Sequence, residues 1–230
     1  MRISKRKYPW IGEQTWTDTL FLHWPVPVDI IRQYVPSSFE IDTFKGTAWI
    51  SIVVFNAKKS LIRGMPAFTS FPTVTQINMR TYVYHPDCSE RGVYFISLRV
   101  NNLLAAIGAQ KLFGLPFYRV TNIFKQINST FFVTSWTEEI NKFSLQYTPE
   151  DITINDKLAQ FLTERYCIWN IHRNQMIKIP IRHSHWNLRK VQVKVLENKL
   201  LPFTNESNFI AHYCGYKHAL LYPYETYNWK

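Results

Sequence analysis

The 230-residue chain contains only seven glycines, and their placement excludes the common phosphate-binding loops. Neither the glycine pattern of a dinucleotide-binding turn nor that of a P-loop occurs, although both need glycine where the backbone approaches phosphate. The G-x-S-x-G elbow that presents the nucleophile in many serine hydrolases is also missing. The sequence therefore disfavours nucleotide-dependent enzymes and hydrolases of the elbow type.

Cysteine is scarce as well, since Cys88, Cys167 and Cys214 are the three cysteines and lie far apart. An odd number at such spacing argues against a disulfide framework, and the lack of a Cys-x-x-Cys pair argues against a thiolate zinc site. No apolar run approaches the ~18 residues of a membrane span, and no apolar segment follows the basic N-terminus as in a secretory signal. We predict a cytoplasmic protein without a membrane span.

Acidic residues are outnumbered, with 16 Asp and Glu against 27 Lys and Arg and a formal net charge of +11. Residues 1–7 form a basic N-terminal arm, and residues 173–199 hold seven Lys or Arg against one glutamate. Such clusters attract nucleic acid. However, no nucleic-acid-binding motif occurs, and these basic residues alternate along predicted strands as solvent-facing side chains do. A basic-surface nucleic-acid binder is therefore a disfavoured further alternative.

Hydrophobic residues make up 46% of the chain and aromatic residues 16%, which is enough to bury a full core. Alternating apolar and polar residues predict a mainly β (α+β) fold, and no linker divides the single domain predicted over residues 1–230. Short helices are predicted over residues 29–35, 101–114 and 155–163, the second ending at Gly114 and the third capped by Asn155. Lys45 and Gly46 predict a hairpin turn, and residues 58–72 predict a loop.

Arg80 is the first candidate binding residue. Strand alternation places four polar or aromatic side chains on one face of its segment: Gln76, Asn78, Arg80 and Tyr82. A guanidinium is permanently charged and grips carboxylates through two parallel hydrogen bonds, so this face suits a small anionic or carbonyl-containing ligand. A solvent-exposed polar strand face is the alternative interpretation.

Glu164 and the histidines are the other chemically interesting groups. Glu164 lies among apolar residues, where burial requires a partner charge such as Arg165, so a structural ion pair is the alternative to catalysis. His183 and His185 are two residues apart and are predicted to share a strand face. Two ligands do not make a metal site. We predict no metal and no cofactor.

Seven short motifs, taken together, resemble the bacterial family known as domain of unknown function 2071. In chain order they are LFLHWPVP (20–27), IDTFKGTAWISIVVF (41–55), INMRTYV (77–83), YFISL (94–98), AIGAQKLFGLPFY (106–118), FLTERY (161–166) and HSHWNL (183–188). That family is grouped with the acetoacetate decarboxylase-like fold. The resemblance covers residues 8 to about 225 and implies an antiparallel β-barrel with a few short helices around an interior cavity.

The resemblance also points to one turn at which this chain differs from acetoacetate decarboxylases. In acetoacetate decarboxylases the comparable turn carries a lysine that forms a Schiff base with a β-keto acid, and a neighbouring cation lowers the pKa of that amine. Here Pro116 is followed by Phe117 and Tyr118, so both amines are missing. Lys111 lies in the last turn of the predicted helix, where a cation favours the helix dipole, and we do not interpret it as a replacement amine.

The leading hypothesis is a protein that binds a small organic molecule, anionic or carbonyl-containing, in an interior cavity without Schiff-base chemistry. The candidate ligand-binding residues are His23, Arg80, Phe117, Tyr118, Glu164 and Arg165. The alternative is a lyase or hydrolase acting on an oxo compound, with Glu164 and Tyr118 as acid–base groups. The sequence leaves the ligand and any homo-oligomer open.

Overall fold

The computed structural model describes residues 9–64, 72–102, 104–137, 142–204 and 208–227. Within these ranges the helices are α1 (Val28–Arg32), α2 (Leu104–Phe113) and α3 (Lys157–Thr163). The strands are β1 (Gly12–Val26), β2 (Glu40–Ile41), β3 (Ala48–Ile62), β4 (Val74–Tyr84), β5 (Arg91–Val100), β6 (Phe117–Arg119), β7 (Thr121–Ile127), β8 (Thr130–Trp136), β9 (Phe143–Ile154), β10 (Cys167–His172), β11 (Gln175–His183), β12 (Leu188–Asn198), β13 (Ile210–Leu221) and β14 (Glu225–Tyr227). None of these helices has the length and apolarity needed to cross a bilayer.

Hydrogen bonding joins the strands into one large sheet, part of which closes on itself. The order β11–β10–β5–β4–β3–β1–β13 returns to β11 through the pairs Ile181–Leu221, Arg182–Leu220 and His183–Ala219. We call these seven elements the ring strands. Beyond β13 the sheet continues through β12, β9, β8 and β7. The pairings are antiparallel except those of β5 with β10 and β6, and the predicted mainly β fold with few helices is confirmed.

From Thr19 to Trp24 both faces of the ring strand β1 are buried, and an irregularity decides which side chains face inward. The pairing with β3 shifts between Thr17 and Leu20, where Asp18 has a φ of 55°. Beyond this bulge, Leu20 and Leu22 pack into the largest hydrophobic cluster on one side of the sheet. Their neighbour Phe21 points to the opposite side, because side chains alternate along a strand.

The predicted hairpin around residues 45 and 46 is only partly correct. Lys45 and Gly46 form the expected turn, with φ values of 50° and 82°, and Phe44 and Thr47 form an isolated bridge. However, the two-residue strand β2 pairs with β4 and not with β3. The turn therefore reverses the chain without making the two flanking strands neighbours.

The predicted loop over residues 58–72 was wrong at its start. Strand β3 continues to Ile62 and pairs with Gly12 of β1. Lys59 has a φ of 47°, and the register shifts between Glu13 and Thr15. Such a bulge interrupts the alternation by which a strand is recognised. Residues 65–71 of this segment, and the basic arm at residues 1–7, lie outside the described residues, and the single-domain assignment stays a prediction.

The three predicted helices are present, with one change of cap. Asp156, and not Asn155, is the N-cap of α3, since its carboxylate accepts a hydrogen bond of 2.8 Å from the amide of Ala159. An acceptor at this position satisfies one of the unpaired amides of the first turn. Asn155 instead accepts from the side chain of Gln160.

The turn after α2 requires glycine at position 114. Gly114 has a φ of 63°, and its amide donates a 2.8 Å hydrogen bond to the carbonyl of Gln110. A Cβ at this position would lie 2.5 Å from Nδ1 of His172. The side chain of Asn170 donates to the carbonyl of Phe113. Strand β10 therefore fixes the end of α2, from which the chain enters β6.

We expect Gly114→Ala to lower the free energy of unfolding by about 2 kcal/mol or more, because alanine would combine left-handed backbone strain with a collision against His172. Gly46→Ala is the matched control: its φ is also positive, but no atom lies within 4 Å of an added Cβ. That variant should lose only about 1 kcal/mol. Urea unfolding measures both, and equal losses would contradict the steric argument.

Candidate ligand-binding site

A cavity of about 130 Å³ lies inside the ring, and each of the seven ring strands contributes to its lining. Strands β5, β10 and β11 and the segment from the end of α2 to the start of β6 supply mostly apolar side chains, among them Phe95, Leu98, Phe113, Leu115 and Phe117. Drug-sized pockets usually enclose roughly 300–1,000 Å³, so this cavity suits a smaller molecule.

Strand β4 supplies the main polar part of the lining. Gln76, Asn78 and Arg80 all line the cavity, as the alternation predicts, and Tyr82 lies fully buried on the same strand face. Strands β3 and β5 pair with β4 on either side. This placement holds the β4 side chains on a rigid element, which favours precise positioning of a ligand.

Arg80 lacks a countercharge. One of its terminal nitrogens donates a 3.3 Å hydrogen bond to the carbonyl of Leu162, and its guanidinium carbon lies 5.6 Å from the ring centroid of Phe21. No carboxylate of the described residues forms an ion pair with it, and its Nε has no hydrogen-bond partner among them. Burial lowers the pKa of the Arg80 guanidinium from its ordinary value, while the contact with Tyr82 raises it.

Arg165, the other cation that lines the cavity, has a countercharge. Its guanidinium pairs with the fully buried carboxylate of Asp42 at 2.6 Å and donates to the carbonyl of Phe161 at 2.7 Å. Arg91 pairs with the second oxygen of the same carboxylate. Burial lowers the pKa of Arg165 to about 10. Because Asp42 already serves two guanidinium groups, it leaves no anion for Arg80.

A buried hydrogen-bond chain connects His23 to the carbonyl that Arg80 contacts. His23 Nδ1 lies 2.6 Å from Ser51 Oγ, which lies 2.6 Å from the hydroxyl of Tyr82, and that hydroxyl donates to the carbonyl of Leu162 at 2.9 Å. The carbonyl can only accept, so the Tyr82 hydroxyl donates its proton to it. The Tyr82 oxygen then accepts the proton of Ser51, and the Ser51 oxygen accepts a hydrogen bond from His23. His23 therefore carries its proton on Nδ1.

The unprotonated Nε2 of His23 has no hydrogen-bond partner among the described residues, and neither has Nδ1 of His212. The two rings are 5.3 Å apart, and both residues are at least 98% buried, with exposures of 0% and 2%. Burial lowers the pKa of His23 well below its ordinary value and that of His212 to about 4. Both rings are thus neutral at neutral pH.

Of the six predicted ligand-binding residues, Arg80, Phe117 and Arg165 line the cavity, whereas His23, Tyr118 and Glu164 do not. Tyr118 is 54% exposed. The prediction that both aromatic residues wall the cavity was wrong for Tyr118, because successive side chains of β6 point to opposite faces. His23 is enclosed behind the lining, in the hydrogen-bond chain described above.

Glu164 occupies a structural position at the end of α3. Its carboxylate accepts hydrogen bonds from the hydroxyl of Tyr166 and, at 2.8 Å, from the amide of Trp186, and it lies 3.3 Å from Nδ1 of His185. The expected partner Arg165 turns instead to Asp42. Glu164 and Tyr118 therefore do not converge on one cavity, and the catalytic pair suggested by the sequence is not formed.

The predicted pairing of His183 and His185 on one strand face was also wrong. Strand β11 ends at His183, which lines the cavity, while His185 lies in the following loop with 79% of its side chain exposed. The alternation stops where the strand ends. In the described part of the chain, no group of three or more His, Cys, Asp or Glu side chains is arranged to hold a metal.

Sequence reasoning missed two residues that shape the site. Asp42, which neutralises Arg165, stands 123 positions before it. Trp186 lines the cavity and packs edge-on against Phe21, with ring centroids 4.9 Å apart. The HSHWNL motif includes Trp186, but a short motif by itself does not indicate which side chain faces a cavity. The IDTFKGTAWISIVVF motif likewise includes Asp42, but it does not indicate that this carboxylate pairs with Arg165.

The comparison with protein families gives a clear result. The model of domain of unknown function 2071 (DUF2071), described as an uncharacterised conserved protein, matches residues 13–219. The chain belongs to this family. It is also 33% identical over 226 residues to the uncharacterised protein YqjF of Bacillus subtilis strain 168, covering 93% of this chain and 91% of the relative. This membership confirms the resemblance identified from the sequence motifs.

Solved structures show a shared fold at low sequence identity. Acetoacetate decarboxylase from Legionella pneumophila superposes with a TM-score of 0.68 and 10% identity, covering 99% of this chain and 92% of the other. The enduracididine biosynthesis enzyme MppR in complex with pyruvate superposes with a TM-score of 0.68 and 8% identity, covering 97% of this chain and 93% of the other. An acetoacetate decarboxylase-like enzyme from Sphingomonas wittichii superposes with a TM-score of 0.65 and 11% identity, covering 96% of this chain and 94% of the other. The DUF2071 chain therefore has an acetoacetate decarboxylase-like fold.

We expect His212 alone to make the free energy of unfolding fall by about 2 kcal/mol between pH 7 and pH 5. The unfolded imidazole, with a pKa of ~6.5, gains a proton in this range, whereas the folded ring, with a pKa of about 4, does not. The unfolded state thus binds more protons, and stability is lost as the pH falls.

Urea unfolding at pH 7, 6 and 5 measures this loss for the wild type and for His212→Gln, which should show a smaller decline. His218→Gln is the matched control, since His218 lies on the same strand but is 45% exposed beside Glu13. A decline in His212→Gln as large as that of the wild type would contradict the assignment, whereas a residual decline is expected because burial also lowers the pKa of His23.

Proposed function

We propose that this DUF2071 protein binds a small anionic organic molecule in the cavity inside its ring strands, acting in the cytoplasm. Arg80 would hold the anionic group, and the apolar lining around Phe95 and Phe117 would enclose the rest of the ligand. The observation that carries this proposal is the lack of any carboxylate partner for Arg80 among the described residues.

The charge balance around the cavity supports an anionic ligand. Arg80 and Arg165 both line it. Among the described residues, Asp42 is the one buried carboxylate that pairs with a lining cation, and it is shared between Arg165 and Arg91. A buried charge without a partner is costly, and an incoming carboxylate would supply both the opposite charge and the acceptor oxygens. The site would thus favour carboxylates over neutral molecules of the same shape.

The structural relatives support the size and charge class of this ligand. MppR was solved in complex with pyruvate, a small carboxylate, and the fold is shared with acetoacetate decarboxylases, which are named for another small carboxylate. At 8% and 10% identity these relatives share the fold alone. For this chain, small carboxylates and keto acids are therefore the first probes to test.

We infer further that binding is non-covalent. No lysine is present among the described residues that line the cavity. Lys111 is solvent-exposed in the last turn of α2, where its positive charge interacts favourably with the helix dipole. Cys167 is also among the lining residues, but burial raises the pKa of its thiol to about 12, which keeps the thiol protonated and unreactive. A Schiff-base mechanism would lack its amine.

The two alternatives from the sequence receive less support. An enzyme based on Glu164 and Tyr118 lacks the required convergence of these side chains. For a nucleic-acid binder, the basic segment at residues 173–199 offers fewer free cations than its composition suggests. Four of its seven Lys and Arg pair with carboxylates: Lys178, Arg189, Lys190 and Lys199.

We expect Arg80→Met to weaken the binding of a carboxylate ligand by about ten- to a hundredfold, since a hydrogen-bonded charge contributes roughly 1.5–3 kcal/mol. Pyruvate, acetoacetate, hexanoate and benzoate would be screened by thermal shift, and each hit would be titrated by calorimetry. The substitution should leave the free energy of unfolding unchanged or slightly higher, because no carboxylate loses its ion-pair partner.

Arg182→Met is the matched control for this experiment. Arg182 lies on the ring strand β11, is exposed to solvent and is not among the lining residues. Ligand affinity should be unaffected by this change. The proposal fails if no carboxylate in the screen binds the wild type, or if Arg80→Met and Arg182→Met bind equally well.

We expect borohydride to trap no adduct when it is added to the protein with acetoacetate or pyruvate, because no lysine among the described residues lines the cavity to form an imine. Intact-mass spectrometry measures the result, with a known acetoacetate decarboxylase as the positive control. A mass increase that maps to any lysine of this chain would refute the non-covalent mechanism.

A further inference from the structure

Residues 184–187, which connect β11 to β12, supply one side chain to the cavity lining and expose the others to solvent. Ser184, His185 and Asn187 are exposed, whereas Trp186 is half-buried and lines the cavity. We call these four residues the Trp186 loop. Within this loop, Trp186 stands between the solvent-exposed chain and the cavity.

The Trp186 loop lies beside the proposed anion-binding residue. The ring of Trp186 meets that of Phe21 edge-on with centroids 4.9 Å apart, and the guanidinium carbon of Arg80 lies 5.6 Å from the same Phe21 centroid. Trp16, another lining residue, stacks on Trp186 with centroids 6.0 Å apart. The loop therefore borders the part of the cavity in which Arg80 would hold an anion.

The backbone of the Trp186 loop is bonded differently from the rest of the described lining. The ring strands are joined by the backbone hydrogen bonds of the sheet. The segments around Leu115 and Arg165 also form backbone bonds, from the amide of Phe117 to the carbonyl of Leu115 and from the amide of Arg165 to the carbonyl of Thr163, each 2.9 Å long. Residues 184–187 form no backbone–backbone hydrogen bond within the described ranges.

Two charged side chains from other elements hold the loop instead. Lys217 of β13 is 3% exposed, and its Nζ donates to the carbonyl of His185 at 2.5 Å and to the hydroxyl of Ser184 at 3.2 Å. Glu164 accepts from the amide of Trp186 at 2.8 Å. Lys217 is not among the lining residues. Hydrogen bonds to ionised groups are stronger than those between neutral groups, so these two side chains can replace the backbone bonds that the loop lacks.

This bonding makes the loop the easiest part of the described lining to displace. Passage between two ring strands would break several backbone hydrogen bonds, whereas displacing the Trp186 loop breaks bonds to two side chains. Segments with few backbone bonds open at the lowest free-energy cost. When the loop is closed, it would keep water from Arg80, and a charge attracts an anion more strongly where water is excluded.

We propose that the Trp186 loop is the entry gate through which an anionic ligand reaches Arg80, and that Lys217 is a positioning residue that holds this gate closed. The inference rests on the proposed function and adds the route by which the ligand enters. Because Lys217 acts through the loop, it should govern the rates of ligand exchange and leave the affinity to Arg80.

Stopped-flow tryptophan fluorescence on the full chain tests the gate in the wild type. The probe is whichever of pyruvate, acetoacetate, hexanoate and benzoate binds most tightly in the screen above. The observed rate should level off as the ligand concentration rises, because opening of the loop would limit association. A rate that stays proportional to ligand concentration would overturn the inference, and this outcome needs no variant to fold.

Lys217→Met should raise the association and dissociation rate constants together by about tenfold or more, because the loss of a charged donor favours the open loop. The dissociation constant should stay nearly unchanged, since the closed site keeps its lining. Lys217→Arg retains a charged donor and should remain close to the wild type in both rates. Lys125→Met is the matched control, at an exposed position of β7 outside the cavity, and should not alter either rate.

The inference is overturned if Lys217→Met exchanges ligand no faster than Lys125→Met. It is also overturned if Lys217→Met weakens affinity without raising the association rate, as a residue that merely supports the fold would do. If the acids bind and Arg80→Met weakens them while Lys217→Met leaves both rates unchanged, the proposed function stands without the gate. If no acid binds the wild type, both fall.

Discussion

The pairing of β11 with β13 is the constraint on which the site depends. Only three residue pairs make this contact, yet they convert a row of strands into a closed ring. Closure gives the ring strands an interior, and side chains that would otherwise form one face of an open sheet converge on a common cavity. His183 and Leu221 take part in this pairing and also line the cavity.

Within that interior, the distribution of charge decides what the cavity can bind. Asp42 is fully buried and is shared by Arg165 and Arg91, so Arg165 at the cavity wall already has a countercharge. Arg80 stands close enough to Arg165 for the two cations to repel each other, which contributes to the lowered pKa of Arg80. The carbonyl of Leu162, which accepts a hydrogen bond from Arg80, offers a partial charge only. An anionic ligand would complete this balance.

The hydrogen-bond chain behind the lining explains why Arg80 is held in place. The carbonyl of Leu162, near the end of α3, accepts from both Arg80 and Tyr82. Tyr82 is in turn fixed by Ser51 and His23, all three being fully buried. The residues behind the lining thus hold Arg80, the binding residue that we propose. The sequence predicted direct ligand contact for His23 and did not indicate this supporting position.

The sequence by itself determined the mainly β fold, the turn at Gly114 and the polar face of β4, because strand alternation and backbone preference are local properties. It also placed the aromatic residues Phe117 and Tyr118 directly after Pro116. Only the tertiary structure decided that Asp42 neutralises Arg165, that Glu164 holds the loop of Trp186, and that Tyr118 faces outward. These contacts depend on strand order, register and bulges, which bring together residues as far apart as 123 positions and leave no local pattern to read.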